Sequence, residues 1–189
     1  MRLAAACLVA ALLAGCASAP PTPLPARDDV GEFAIDARFA LRATVPGRPA
    51  ESSGGRLEWE HRTGHDRILV ANPLGVGIAE IDAGPGGARL KLADGRIHEG
   101  ADPDLLLVEA TGQRLPVRRL PDWLLGRGSG EARPSRDALG RPLALSEAGW
   151  EIAYSYIDTA AGALPATVTL VRPGEIELRL RIEEWRSLP

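Results

Sequence analysis

The body of this chain has no cysteine to crosslink it. Cys7 and Cys16 are the only two, and both fall within the first 16 residues. Neither a disulfide nor a thiolate metal site is available further on, so the core alone must hold the fold. Histidine is also scarce, with only His61, His65 and His98. Each falls on an expected strand end or turn and reads as a surface histidine. His61 and His65 are four apart, but a turn separates them, so they share no helical face as metal ligands would. There is no G-x-S-x-G elbow for a hydrolase. The run GPGGAR lacks the strand-to-helix setting of a phosphate cradle. Glu183 and Glu184 point to opposite faces of a strand and cannot work together on one glycosidic bond. With a net charge of −3 there is no basic excess to attract nucleic acid. No apolar run reaches the roughly 20 residues that span a bilayer. Internal repeats are absent. These absences argue against an enzyme, and no catalytic residue, metal or cofactor is expected.

What is present begins at the N-terminus. Arg2 precedes an apolar run from Leu3 to Leu13, too short to span a bilayer and suited to a secretory signal. The stretch Leu13-Ala14-Gly15-Cys16 resembles the bacterial lipobox. That resemblance implies cleavage before Cys16, diacylation of its sulfur and acylation of the new amino group. An ordinary signal cut at Ala17 or Ala19 would instead discard Cys16. If Cys16 is lipidated, three chains at about 0.8 kcal/mol per buried methylene would anchor the protein for good. By analogy with sorting rules, Ala17 rather than Asp after the cysteine points to the outer membrane. Residues 1–15 are therefore read as signal peptide and 16–31 as a tether. Pro20, Pro21, Pro23 and Pro25 keep the tether extended, at roughly 3.1 Å per residue, for a reach of about 45 Å. Residues 32–189 are read as one domain. The composition, 45% apolar and 25% charged, is that of an ordinary globular protein.

The domain opens with a period of two. Phe33, Ile35, Ala37, Phe39, Leu41, Ala43 and Val45 alternate with mostly polar neighbours, as in a long strand with one apolar face. A loop is expected over Gly47–Gly55. Further strands are expected around Leu57–Trp59, Ile68–Val70, Val76–Ile81, Leu90–Leu92 and Ile97. Short turns between them predict an antiparallel meander. The period then changes. Asp102 and Pro103 mark a helix start, and Gly112 its end. A second short helix is expected around Asp122–Leu125, stopped by Gly126, and a loop over Arg127–Pro142. Strands return with one-faced sets at Trp150, Ile152, Tyr154 and Tyr156, at Val168 and Leu170, and at Ile176, Leu178, Leu180 and Ile182. Such alternation wets one face and buries the other. Two short helices cannot cover nine or more strands as a flat layer, so the sheet is expected to curl around them.

Two apolar features stand out. Pro73-Leu74-Gly75 puts a leucine at the tip of a tight turn, where Asn, Asp, Ser or Gly are usual. Either Leu74 folds back onto the sheet or it is a probe for something apolar. Four tryptophans with only two phenylalanines and two tyrosines would suit a broad aliphatic cavity and would equally suit a packed core.

The stretches LEWEHRTGHDRILVANPLG, GQRLPVRRLPDWLLGRG, GWEIAYSYID and LPATVTLVRPGEIELRLRIEEW, in this order behind a lipobox, resemble the LolB family. The likeness runs from about Phe33 to Trp185. It departs at Ala37-Arg38, where Gly-Arg is common in the family. The resemblance implies a mainly β fold: one strongly curved antiparallel sheet of about 9–11 strands, an unclosed half-barrel, with short helices as a lid over an apolar cavity. It implies a receptor that takes triacylated lipoproteins from a soluble periplasmic carrier of the LolA type. The receptor inserts them into the inner leaflet of the outer membrane without nucleotide, and is itself anchored there facing the periplasm. Leu74, with Pro73 and Gly75, would be the membrane-delivery loop. The acyl chains of the cargo would be held by a lining that includes Trp59, Ile68, Val70, Trp123, Leu124, Trp150, Tyr154, Leu178 and Leu180. The partners expected are the carrier, the acyl chains and outer-membrane lipid; nucleic acid is not among them, and the chain is expected as a monomer. A lipid-anchored structural or assembly β-domain with a solid core and a protein partner would show the same alternation and the same tether.

Overall fold

Eleven strands and two helices follow one another in a computed structural model that describes residues 24–45 and 47–188. The expected signal peptide, Cys16 and the tether up to Pro23 lie outside the described residues. The strands are β1 (Phe33–Ala43), β2 (Glu51–Arg62), β3 (His65–Ala71), β4 (Gly77–Gly84), β5 (Gly87–Leu92) and β6 (Ile97–Gly100). After α1 (Pro103–Thr111) and α2 (Leu120–Leu124) come β7 (Arg133–Arg136), β8 (Pro142–Glu147), β9 (Trp150–Ser155), β10 (Thr167–Arg172) and β11 (Ile176–Arg186).

All belong to one antiparallel sheet in the order β6-β5-β4-β3-β2-β1-β11-β10-β9-β8-β7. Two meanders are thus sewn together where the first strand meets the last, from Ala34 opposite Arg186 to Ala43 opposite Ile176. A bulge between Asp36 and Ala37 interrupts that seam, and bulges bend and twist a strand pair locally. Strands β6 and β7 are the edges, and the chain between them must cross one face of the sheet. The apolar face is the one crossed, and α1 and α2 lie in the crossing. The expected fold class, a single unclosed antiparallel sheet with short helices over its apolar face, is the one observed.

The helix ends form as their residues dictate. The Asp102 carboxylate accepts from the Asp104 amide at 2.9 Å, with Pro103 in the first turn. Gly112 ends α1 at φ +73°, its amide donating to Val108 O at 2.8 Å. Two expected loops are corrected. The stretch Gly47–Gly55 is not all loop, because β2 begins at Glu51. A side chain at Gly55 would place its Cβ 2.0 Å from the Ala71 carbonyl oxygen. Glycine here marks close backbone approach inside a strand rather than a turn. The stretch Arg127–Pro142 contains β7, and Pro142 opens β8. All four residues of β7 are exposed, so this edge strand has no alternation to read, and its proline is tolerated at an edge. The histidine reading is corrected as well: His65 is exposed, but His61 and His98 are half-buried.

Outward-facing residues form cross-strand ion pairs. Arg38 meets Glu183 at 2.6 Å, Arg186 meets Asp36 at 2.6 Å and Arg67 meets Glu80 at 2.9 Å. Exposed pairs of this kind add little stability, but they keep the outer face wet. The chain enters the sheet through a 3-10 turn at Arg27–Asp29. One terminal nitrogen of Arg127 donates to the carbonyls of Arg27, Asp28 and Val30 at 2.9, 3.0 and 2.6 Å. The Arg27 amide donates to Gly162 O at 3.1 Å.

Candidate functional site

The inner face of β2 shows how a cavity arises. Its residues run Trp59, Leu57, Gly55, Ser53, Glu51, opposite Ile35, Ala37, Phe39, Leu41 and Ala43 of β1. Side-chain size falls from Trp59 to Gly55, and the column turns polar beyond it at Ser53 and Glu51. Trp59 is fully buried. Its indole nitrogen donates to Asp66 Oδ1 at 2.8 Å, and His61 Nδ1 lies 2.7 Å from the same oxygen. Phe33 stacks edge-on against Trp59 at 5.8 Å and Trp185 at 5.2 Å between ring centroids. These rings close one end of the sheet interior. Toward Gly55 and Ser53 nothing of comparable bulk follows, and Phe39 leans over Gly55, 3.0 Å from where a Cβ would stand.

The space left is a cavity of about 370 Å³, open to solvent, between β1–β5, β11 and the α1–α2 segment. Its wall is mostly aliphatic. Of the residues expected to line it, Trp59, Ile68, Val70, Leu178 and Leu180 do so. Trp123, Leu124, Trp150 and Tyr154 do not, and their placement is corrected. They fill the other half of the interior. The Trp123 and Trp150 rings pack at 5.9 Å, and the Tyr154 hydroxyl donates to Trp123 O at 2.7 Å. Burial pushes the Tyr154 phenol well above its ordinary pKa. The Trp123 indole donates to Glu147 Oε2 at 2.9 Å, which also accepts from the Ser129 amide at 3.2 Å, while Arg119 pairs with the other carboxylate oxygen. Burial raises the Glu147 pKa, but the hydrogen bonds and the Arg119 charge outweigh it and hold the carboxyl below its ordinary 4.5.

Several lining residues escaped the sequence reading. Phe39 and Leu41 were visible in the alternation of β1, and only their cavity role was missed. Leu107 of α1, with Leu115, Val117 and Leu120 after it, forms the covering wall. No period marks them as a set, because Leu107 and Leu120 belong to two short helices and Leu115 and Val117 to the irregular stretch between.

The turn between β3 and β4 is the other feature. The Asn72 side chain accepts from the amides of Leu74 at 2.9 Å and Val76 at 3.0 Å. The Asn72 amide donates to Val76 O at 2.9 Å, and Gly75 adopts φ +84°. The turn is therefore internally braced. It presents Leu74 with 89% of its surface exposed, next to Val76 at 60%. Leu74 does not fold back onto the sheet. Leaving such a side chain in water forgoes roughly 1.5–3 kcal/mol of burial.

Among the described residues no group of three or more His, Cys, Asp and Glu could hold a metal. No described helix is long and apolar enough to cross a membrane.

Residues 31–185 match the family model "Outer membrane lipoprotein LolB". The chain is 52% identical over 182 residues to an outer-membrane lipoprotein LolB of Dechloromonas aromatica (strain RCB), covering 96% of each protein. It is 35% identical over 188 residues to one of Azoarcus sp. (strain BH72), covering 98% of this chain and 95% of that one. Among solved structures it is similar to a LolA superfamily protein from Nitrosomonas europaea. That likeness has a TM-score of 0.51 and 10% identity over 87% of this chain and 91% of the other, and it speaks for the fold alone.

Proposed function

We propose a working cycle from one premise: this chain belongs to the LolB family of outer-membrane lipoproteins. It is an outer-membrane lipoprotein receptor of the lipoprotein-localisation pathway, facing the periplasm, and it is not an enzyme. The cavity receives the acyl chains of a lipoprotein from a soluble, LolA-like periplasmic carrier. Cys16, lipidated after removal of residues 1–15, holds the receptor at its membrane through the tether. Leu74, carried by Pro73 and Gly75, enters the bilayer and lets the cargo pass to the inner leaflet.

The observation that carries this reading is the aliphatic, solvent-open cavity of about 370 Å³. Three chains of about 15 methylenes, at about 0.8 kcal/mol each, carry on the order of 36 kcal/mol of hydrophobic free energy. Such a group does not cross water bare. A receptor working without nucleotide must hold it more tightly than the carrier and less tightly than the bilayer. The present volume is of the order that holds one drug-sized ligand, about 300–1,000 Å³, so three chains need more room.

The test mixes the mature chain carrying Cys16→Ala with carrier loaded with a labelled lipoprotein. The label is expected to move to the receptor, and lipid on residue 16 is not needed for this step. Failure of the label to move would overturn the reading. Moved label should crosslink to probes at Val70 and Leu178, and should not crosslink to probes at Trp150.

A further inference from the structure

The cavity wall carries one charged side chain among the described residues, and it is an acid. Glu51 stands at the open end of the β2 column, after Gly55 and Ser53. Gln113 and Thr111 complete the rim from the covering wall, and the Thr111 hydroxyl donates to Leu107 O at 2.7 Å. No arginine, lysine or histidine lines the cavity, and Glu51 has no ion-pair partner among the described residues. Hydroxyls and a carboxamide can donate to and accept from neutral carbonyls and amides. A carboxylate can accept from an amide N–H but repels another anion.

We infer that Glu51 is a charge filter at the cavity mouth. It sets the rim against amphiphiles with anionic heads, such as free fatty acids and acidic phospholipids, and leaves it open to chains joined through neutral ester and amide linkages. This inference rests on the acyl-cavity reading above and refines its choice of ligand. A receptor beside a bilayer meets membrane lipids in great excess over its cargo. An aliphatic wall alone cannot tell their chains apart, because a methylene is the same in both. Discrimination must come from the head, and the head of a fatty acid seated in this cavity lies at the rim with Glu51. Like charges about 6 Å apart in a half-wet setting weaken binding about tenfold.

The experiment uses the full mature chain with Cys16→Ala, so that no anchor competes for the cavity. Dodecanoate and methyl dodecanoate are titrated at low ionic strength against a neutral fluorescent probe held in the cavity. The ester is expected to bind more tightly than the acid. Glu51→Gln should tighten the acid by about tenfold and Glu51→Lys by more, with the ester unchanged in both. Added salt should shrink the differences, because mobile ions screen a solvent-exposed charge. Thermal unfolding checks that the variants remain folded. If the acid's affinity is the same in all three proteins while the ester binds, the filter is wrong and the cavity stands. If the ester binds to none of them, the acyl-cavity reading falls and takes the filter with it.

Discussion

The two meanders of this sheet have the same alternation and opposite interiors. In β9 and β10 the inward set is Trp150, Ile152, Tyr154, Val168 and Leu170, all buried. Trp123 and Leu124 of α2 press onto it, and Glu147 ties the segment down. In β2 the inward set shrinks to Gly55 and Ser53, and β4 contributes Ala79. The helix side there offers mainly branched aliphatic groups across a gap, with Thr111 and Gln113 at the rim. One wing is filled and the other hollow, although both contain strands with one apolar face. Alternation identifies the face that avoids water. Whether that face is filled depends on the volumes of side chains that meet only after folding.

That contrast can be broken from the filled side first. Trp123→Ala removes the centre of the solid wing and should cost about 3–5 kcal/mol by urea denaturation. Glu147→Gln strips the charge that Arg119 faces and should cost about 1–3 kcal/mol at neutral pH. The wild-type carboxyl titrates below its ordinary 4.5. Its contribution is therefore present above that value and lost as pH falls through the folded pKa. The variant should show a flatter dependence of stability on pH in that acid range. On the hollow side Ala79→Trp places bulk into existing space. It should change stability by under about 1 kcal/mol while abolishing acquisition of labelled lipoprotein from the carrier. At the tip, Leu74→Glu should leave stability within about 0.5 kcal/mol and acquisition near normal, but stop release to liposomes. Ranked by stability these effects fall from the solid wing to the tip. The two hollow-side substitutions should be the ones that act on transport. If Ala79→Trp unfolds the protein, or Trp123→Ala leaves it fully stable, the division into two wings is wrong.

Most of the architecture could be read from residues. The strands from Phe33 onward declared themselves by period two, and α1 by Asp102, Pro103 and Gly112. β7 could not be read, because Arg133–Arg136 is exposed on both faces. The start of β2 was hidden by Ser52-Ser53-Gly54-Gly55, which looks like a loop until the Ala71 carbonyl is found against Gly55. The cavity was legible only in part. Trp59, Ile68, Val70, Leu178 and Leu180 sit where an apolar face would put them. Trp123 and Trp150 were misplaced because a large ring in an apolar stripe gives no sign of whether its neighbour is another ring or empty space. The turn at Leu74 was plain from Asn72-Pro73-Leu74-Gly75. Its outward display was not, since that depends on the bracing by the Asn72 side chain.

The grip of Arg127 on the carbonyls of Arg27, Asp28 and Val30 has a mechanical consequence. A pull on Leu24 is borne first by that guanidinium and by the strap from Arg27 to Gly162, and both join the filled wing. The hollow wing follows this fixing point along the chain, so a load entering at Leu24 is taken up first by the filled wing.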